Sequence, residues 1–379
     1  MKKLNMLLLM LMIVYANANA TIRRVGFTAT TQLVDGLDYL NFQIAHDQSA
    51  DGDTIQLYPG ANGPIYTGTI SKRLVVMGPG YLTNSYYATT ATEIINPQLQ
   101  NLPGYISSCN FTIETGSSGS IIEGLNNVTI TTSSLSPEER SNITIRRCKT
   151  PKIIFNNSGL CNNWRISQCF DLSVVQLVPS NTFTGNRSIS NLKIENSVLI
   201  NEGITLSTSP TGTYSNDSIV NCIFKTSAAL SLSGAPVLIQ NCIFQGQTFT
   251  AVTNAVFIKN ITTLAATSNP IFTNAGASNN QANANLASIF QGYPITTANQ
   301  NTYSQDARFI LTTTNIAKNT GQIPGTTTAT DCGIFGGNNP YRLSGIPAIP
   351  VYLKLDAPNV IVQNGASTYT LTFSIKSNN

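Results

Sequence analysis

Apolar residues in this chain fall mostly in short alternating runs. Thr54-Ile-Gln-Leu-Tyr58 alternates with period two, and Ile70 and Leu74-Val-Val-Met77 follow, punctuated by Pro59-Gly60 and Gly78-Pro-Gly80. Between residues 143 and 262 a unit repeats: Ile145-Arg-Arg-Cys148, Ile166-Ser-Gln-Cys169, Ile194-Glu-Asn-Ser197, Ile219-Val-Asn-Cys222, Ile239-Gln-Asn-Cys242 and Ile258-Lys-Asn-Ile261 align. Ile106-Ser-Ser-Cys109 and Ile122-Glu-Gly-Leu125 extend it upstream, and the steps from Ile145 onward are 21, 28, 25, 20 and 19 residues. An apolar residue two places before the isoleucine (Ile143, Trp164, Leu192, Val237, Val256) completes the strand pattern. Short strands at this spacing, joined by Asn-, Ser- and Gly-rich segments, predict a solenoid. A leucine framework and helical stretches are missing from the unit, and a propeller blade needs about 40 residues, so a parallel β-helix fits best.

Stacking puts equivalent positions of successive coils in one column. Cys148, Cys169, Ser197, Cys222 and Cys242 then share a narrow inward position where a small, mildly apolar side chain fits. Asn196, Asn221, Asn241 and Asn260 form a neighbouring turn column, because Asn tolerates left-handed backbone and its amide bonds to the Asn above. Leu33, Leu37, Leu40, Ile44 and Ala45 recur at helical spacing behind Asp35, predicting a capped helix over the first coil. Beyond Asn260 the pattern loosens into a last irregular coil and a surface excursion, with a short helix expected over Ala282–Phe290. Val351–Leu355, Asn359–Val362 and Ser367–Ser374 read as closing strands.

Composition then sets the compartment. Lys2 and Lys3, the apolar run Leu7–Val14 and Ala16, Ala18 and Ala20 form a signal peptide over 1–20, too short in its apolar core to span a bilayer. No later stretch is a membrane-spanning segment. The net charge of +4 falls to +2 without Lys2 and Lys3, too weak for a nucleic-acid partner. Seven cysteines, an odd number with no CxxC, favour buried thiols over a metal site, with Cys161–Cys169 the local disulfide candidate.

Ala50-Asp-Gly-Asp-Thr-Ile-Gln-Leu-Tyr-Pro-Gly60, followed by Lys72-Arg-Leu-Val-Val-Met-Gly78, resembles the opening of secreted right-handed parallel β-helix proteins of the pectate-lyase-like superfamily. Residues 331–350 resemble the closing segment of secreted bacterial proteins of that type. The resemblance spans about residues 30–350. It implies an all-β chain: a signal peptide over 1–20, a right-handed parallel β-helix with its N-terminal helical cap over 21–345, and a C-terminal β appendage or linker over 346–379. It leaves activity open, since lyases, hydrolases, adhesins and stalks share the fold.

The residues narrow the chemistry. A glycoside hydrolase needs two carboxylates across the scissile bond; this chain has no adjacent Asp pair, and its one histidine, His46, lies in the proposed cap. A lyase of this superfamily needs acidic Ca²⁺ ligands and an Arg or Lys base. Asp171, Glu195, Glu202 and Asp217 are the central carboxylates, and Arg146, Arg147, Lys149, Arg165 and Arg187 the nearby cations, with Glu195 and Arg146 at one repeat position two coils apart. Asp51-Gly-Asp53 reads as a strand-entry turn rather than a Ca²⁺ loop. Tyr81, Tyr86, Tyr87 and Trp164 are the aromatics to test as sugar platforms, although Trp164 holds a core position in the strand pattern. No residue is assigned as catalytic or metal-binding, no cofactor is expected, and binding residues are left open. The expected function is a secreted, non-catalytic protein that binds a polysaccharide or surface glycan; a metal-dependent lyase and a purely structural stalk are the alternatives.

Overall fold

The computed structural model describes residues 20–26, 36–60, 62–81, 105–133, 139–156, 159–176, 187–206, 212–225, 229–232, 235–246, 248–345, 351–356 and 372–376. Residues 1–19 of the expected signal segment, Leu33, Asp35, Tyr86, Tyr87 and the expected strand 359–362 lie outside them. Among the described residues the longest sheet stacks eleven strands in the order Asp38–Tyr39, Ile22–Val25, Thr54–Leu57, Val75–Met77, Ile121–Glu123, Thr144–Arg146, Arg165–Ser167, Lys193–Glu195, Asp217–Val220, Val237–Gln240 and Val256–Ile258. A second sheet runs through eight strands from Ile65–Ile70 to Thr248–Thr250. Gly159–Asn162, Arg187–Ser190 and Gly212–Ser215 make a third, and Val198–Leu199, Ile223–Phe224, Ile243–Phe244 and Ile261–Thr262 a fourth. One coil visits the sheets in turn: Lys193–Glu195, Val198–Leu199, Ile204–Thr205, Gly212–Ser215, then Asp217–Val220 one rung on. Pairing between rungs is parallel throughout these four sheets, so the fold is a parallel β-helix.

The isoleucine column is real. Ile122, Ile145, Ile166, Ile194, Ile219 and Ile239 are successive register partners, all buried in the lumen. The last coil departs from the sequence alignment by one place. Phe257, not Ile258, pairs with Ile239, which puts Lys259 in the turn column and Asn260 in the cysteine column. A one-residue slip exchanges the two faces of a strand, and seating the Phe257 ring inside decides between them. The upstream match at Cys109 also fails: Cys109 belongs to the second sheet, between Tyr66 and Val128.

The turn column keeps left-handed backbone whatever residue occupies it: Gly124, Arg147, Gln168, Asn196, Asn221, Asn241 and Lys259 all have φ between 48° and 68°. A second left-handed column escaped the sequence reading. Asn142, Asn163, Asn191 and Asn216, each three residues before its isoleucine, have φ of 55–59°. Their amides form a ladder, Asn163 donating to Asn142 at 3.1 Å and Asn191 to Asn163 at 3.0 Å.

The cysteine column is more than a row of small apolar groups. Cys148, Cys169, Cys222 and Cys242 each donate S–H to the carbonyl two residues back at 3.3–3.4 Å, and Ser197 does the same with its hydroxyl at 2.9 Å. Three of the side chains in the column also accept an N–H from the preceding rung: Cys169 N donates to Ser197 Oγ (3.1 Å), Cys222 N to Cys242 Sγ (3.4 Å) and Cys242 N to Asn260 Oδ1 (2.9 Å). From Cys148 to Asn260 the position holds a short side chain with a heteroatom, which Cys, Ser and Asn supply; the earlier Ile122 rung places Leu125 there instead. All seven cysteines are free and buried, so the Cys161–Cys169 pairing does not form; Cys161 lies in the third sheet.

Both lumen ends are plugged. The first helix, α1 (Phe42–Gln48), is capped by Asn41 and buries Phe42, Ala45 and His46, while Leu37, Leu40 and Ile44 remain exposed. It is therefore shorter than the sequence spacing implied, begins behind Asn41 rather than Asp35, and turns the expected Ala45 inward with Phe42 and His46 while Ile44 faces out. The second, α2 (Pro270–Thr273), inserts Ile271 into the lumen core at the far end.

After the last coil the chain folds back along the outside. In the fourth sheet Leu199, Phe224 and Phe244 face the lumen cluster, while Val198, Ile223, Ile243 and Ile261 belong to a separate buried cluster with Ile289, Phe290, Phe309, Leu311, Ile334 and Tyr341. Helix α3 (Leu286–Ile289) is the element expected within Ala282–Phe290. Residues 321–345 then run back toward the early coils, held by the turn column: Asn241 Nδ2 donates to Gln322 O (2.8 Å), Asn221 Nδ2 to Asp331 O (3.1 Å), Asn196 Nδ2 to Ile334 O and Gly336 O (both 2.8 Å), and Gln168 Nε2 to Pro340 O (2.6 Å). The approach is close enough to require glycine at 336, where a Cβ would lie 2.3 Å from Asn221 Nδ2 of the turn column and 1.9 Å from Asp331 O of its own segment. At the C-terminus Val351–Asp356 and Thr372–Lys376 pair antiparallel.

Candidate functional site: a lateral groove

The excursion between the last coil and the returning segment builds one wall of a groove whose other wall is the solenoid. On the solenoid side, Asn127, Thr150 and Asp171 occupy a third left-handed column (φ 48–56°) between the fourth-sheet edge and the second sheet. Lys149 and Phe170 are bridge partners on that edge, and Lys225 follows the strand Ile223–Phe224, one rung beyond Ile200. On the opposite side stand Tyr293, Ile295, Gln305, Arg308 and Phe309, carried by the excursion. This part of the groove has a volume of about 370 Å³. It continues past Thr150, Asp171 and Asn201 into a second part of about 310 Å³, lined by Asn127, Thr129, Lys152, Ser173 and Glu202.

Polar bonding fixes the walls. Asp171 accepts the Asn201 backbone N–H (3.1 Å) and its side-chain amide (2.7 Å). Ser173 Oγ donates to Glu202 at 2.6 Å, and Lys152 Nζ lies 3.6 Å from the same carboxylate. Tyr293 donates its hydroxyl to Gln245 Oε1 (3.2 Å) and packs against Phe290 and Phe309. Burial lowers the Lys225 ammonium from its ordinary value, Arg308 adds to this, and Asp171 opposes it. The groove therefore presents cations beside aromatic rings.

Arg308 and Phe309 belong to a short 3₁₀ turn, Ala307–Phe309, capped by the fully buried Asp306. Asp306 accepts from Ser304 Oγ (2.7 Å), Ala307 N (3.0 Å), Ser344 N (2.5 Å) and Tyr341 Oη (3.2 Å). Tyr341 in turn shares a short hydrogen bond with Tyr81, and Tyr81 N donates to Ser344 O at 2.8 Å. Burial drives both phenols well above the ordinary range, which keeps them protonated. This cluster joins the early coils, the groove wall and the returning segment.

The residues singled out in the sequence scatter. Asp171, Glu202 and Lys149 meet in the groove, and Lys152, Lys225, Tyr293 and Arg308 join them without a signal in the repeat. Glu195 sits on the outer face of the long sheet, paired with Lys193 (2.6 Å) and Arg165 and accepting from Asn339 Nδ2 (3.1 Å). Burial pushes its pKa up, but Lys193 and Arg165 together pull it down by more, so the net shift is downward. Arg146 pairs with Glu123, and Arg147 Nε donates to Gln168 Oε1 (2.8 Å). The side chain of Arg187 is outside the described residues. Asp217 faces the lumen. Asp53 accepts from Thr21 N, Ala50 N and Arg23, and Asp51 from Arg73 N, so both carboxylates serve the strand-entry turn. Trp164 is fully buried, donating to Arg140 O (2.7 Å) with Phe155 edge-on; Tyr81 is buried too. Among the described residues no three His, Cys, Asp or Glu side chains cluster as metal ligands, and no helix is long and apolar enough to cross a membrane.

No family model matches this chain, and no curated protein matches it. Among solved structures it is similar to one described as the crystal structure of pectate lyase Pel9A, with 13% identity over 86% of this chain and 98% of that chain and a TM-score of 0.36.

Proposed function

We propose that this chain is an exported, non-catalytic protein that binds a polysaccharide along the lateral groove. The observation that carries this reading is the convergence of Lys149, Lys225 and Arg308 with Tyr293 and Phe309 in one cleft. Cations there recognise acidic or hydroxyl oxygens, and the partly buried Tyr293 ring, backed by the buried Phe309, offers an apolar face to a sugar ring. A glycan array, followed by affinity measurement with the Lys225→Met and Arg308→Met variants, tests it. Wild-type binding that each substitution weakens about tenfold supports the reading, a charged hydrogen bond being worth about 1.5–3 kcal/mol. Absence of glycan binding favours the stalk.

One observation favours a second reading. Lys225 has a lowered ammonium beside Arg308 and Asp171, the setting of a general base. In a lyase, such a base takes the proton α to a uronate carboxylate while the bond to the leaving sugar oxygen breaks and a C=C bond forms. Incubation with polygalacturonate and divalent cations, followed by ultraviolet absorbance of the unsaturated product, tests this. Product formed by wild type and lost in Lys225→Met would replace the non-catalytic reading.

A further inference from the structure

In the fourth sheet Leu199, Phe224 and Phe244 point into the lumen, so the next residue on each rung, Ile200, Lys225 and Gln245, points outward in one column. Ile200 and Lys225 line the first part of the groove. Gln245 continues the same row but is only 4% exposed. Tyr293 of the excursion lies over it and donates its hydroxyl to Oε1 at 3.2 Å. The other end of the amide, Nε2, is buried and has no hydrogen-bond partner among the described residues. A buried donor without an acceptor is costly and calls for an explanation. The neighbouring Lys225 ammonium already faces Asp171 and Arg308, so the unmade bond is that of a neutral donor. The apolar groups on this stretch of the groove are Ile200, the Tyr293 ring and Ile295, which is 43% exposed.

From this we infer that Gln245 forms a concealed subsite at the end of the groove for the acyl group of an N-acetylated amino sugar. The inference rests on the polysaccharide reading above and names the sugar. An acetamido group brings a carbonyl oxygen to accept from Nε2, a methyl to lie against Ile200, Ile295 and the Tyr293 ring, and no charge. A carboxylate in the same place gives up its hydration for one bond from a neutral amide. A bare hydroxyl makes the bond but leaves the apolar surface uncovered. Entry requires the Tyr293 phenol to turn aside, since that phenol covers the amide.

The test compares tetrasaccharides by calorimetry on the full chain. Chitotetraose, cellotetraose and the fully deacetylated chitosan tetramer share one backbone and differ only in bearing an acetamido, hydroxyl or ammonium group; tetragalacturonate supplies a carboxylate. Chitotetraose should bind about 3- to 10-fold tighter than each of the others, the scale of one neutral hydrogen bond. Saturation-transfer NMR should show its strongest enhancement on the acetyl methyl protons. Gln245→Met keeps the length of the side chain and removes the donor. It should bring chitotetraose down to the cellotetraose level and leave cellotetraose unchanged, with thermal melting as the check on folding. Tyr293→Phe removes the covering hydroxyl but leaves Nε2 in place, so the acetamido preference should persist. A preference unmoved by Gln245→Met, one lost in Tyr293→Phe, or cellotetraose or tetragalacturonate bound as tightly as chitotetraose overturns the inference while leaving polysaccharide binding in place. If Gln245→Met does not fold, the wild-type rank order and the methyl enhancement decide alone. Failure to bind any of the four overturns the inference, and the glycan array then decides the polysaccharide reading separately.

Discussion

Asp217 interrupts an otherwise apolar lumen column, Ile143, Trp164, Leu192, Val237, and is 3% exposed. Its Oδ1 accepts the Leu192 N–H at 2.8 Å, whereas Oδ2 is buried with no partner. Burial raises its pKa from 3.8 to about 7, and the Leu192 bond only partly offsets this. In the unfolded chain the carboxyl loses its proton near 3.8, while the folded protein holds it until about 7. Between those limits the folded state binds more protons, so this group's contribution to stability falls as pH rises through the window and levels off above it. The slope is about 1.4 kcal/mol per pH unit, on the order of 4 kcal/mol across the window. Asp217→Asn keeps an acceptor for Leu192 N and has no charge to desolvate. The assay is amide hydrogen exchange of the strands Lys193–Glu195 and Asp217–Val220 at several pH values from 4.5 to 8, corrected for intrinsic rates, in wild type and the variant. This reads the local opening free energy of the coil itself. Wild type should lose protection relative to Asp217→Asn as pH rises to about 7. Parallel pH profiles in the two proteins would refute the argument.

Three further outcomes follow from the geometry. Ser197→Ala removes the acceptor of the buried Cys169 N–H and should cost about 1–3 kcal/mol in urea unfolding, whereas Ser197→Cys, which restores a heteroatom, should cost less; equal losses would count against the ladder. The seven buried thiols should resist an aromatic disulfide reagent at pH 8 and all react after denaturation, since burial raises Cys161 to about 12 and Cys332 to about 11. Tyr341→Phe removes a hydroxyl bonded to both Asp306 and Tyr81; it should loosen exchange protection around residues 304–309 and lower groove affinity, with no further loss in an Arg308→Met background. Additive losses would show that the hydroxyl does not act through Arg308.

Much of the coil was legible because a stacked solenoid repeats its constraints. The central rungs each carry an apolar residue at the isoleucine place and a short heteroatom-bearing residue three places on, so the pattern surfaces at Ile145, Ile166, Ile194, Ile219 and Ile239 despite unequal steps. The second Asn column was equally readable at Asn142, Asn163, Asn191 and Asn216 but went unnoticed, because exposed Asn in an Asn-rich chain looks like composition. The slip at Phe257 and the outward turn of Ile44 arose where the repeat ends: without a further rung to fix the register, local spacing alone chose Ile258 and Ile44.

The chain's own periodicity thus determined the parallel coil, its lumen and its turn columns, since those depend on contacts between neighbouring rungs and recur along the sequence. The tertiary structure alone decided the groove. Lys149 and Asp171 stand about 160 and 140 residues from Arg308, and they meet because Phe309 packs in the buried cluster over the fourth sheet while Asp306 bonds Tyr341 and Ser344 of the returning segment, which the turn-column amides hold by its backbone. A backbone carbonyl carries no side-chain signature, so a linear reading gives no sign of which segment will return to accept those bonds.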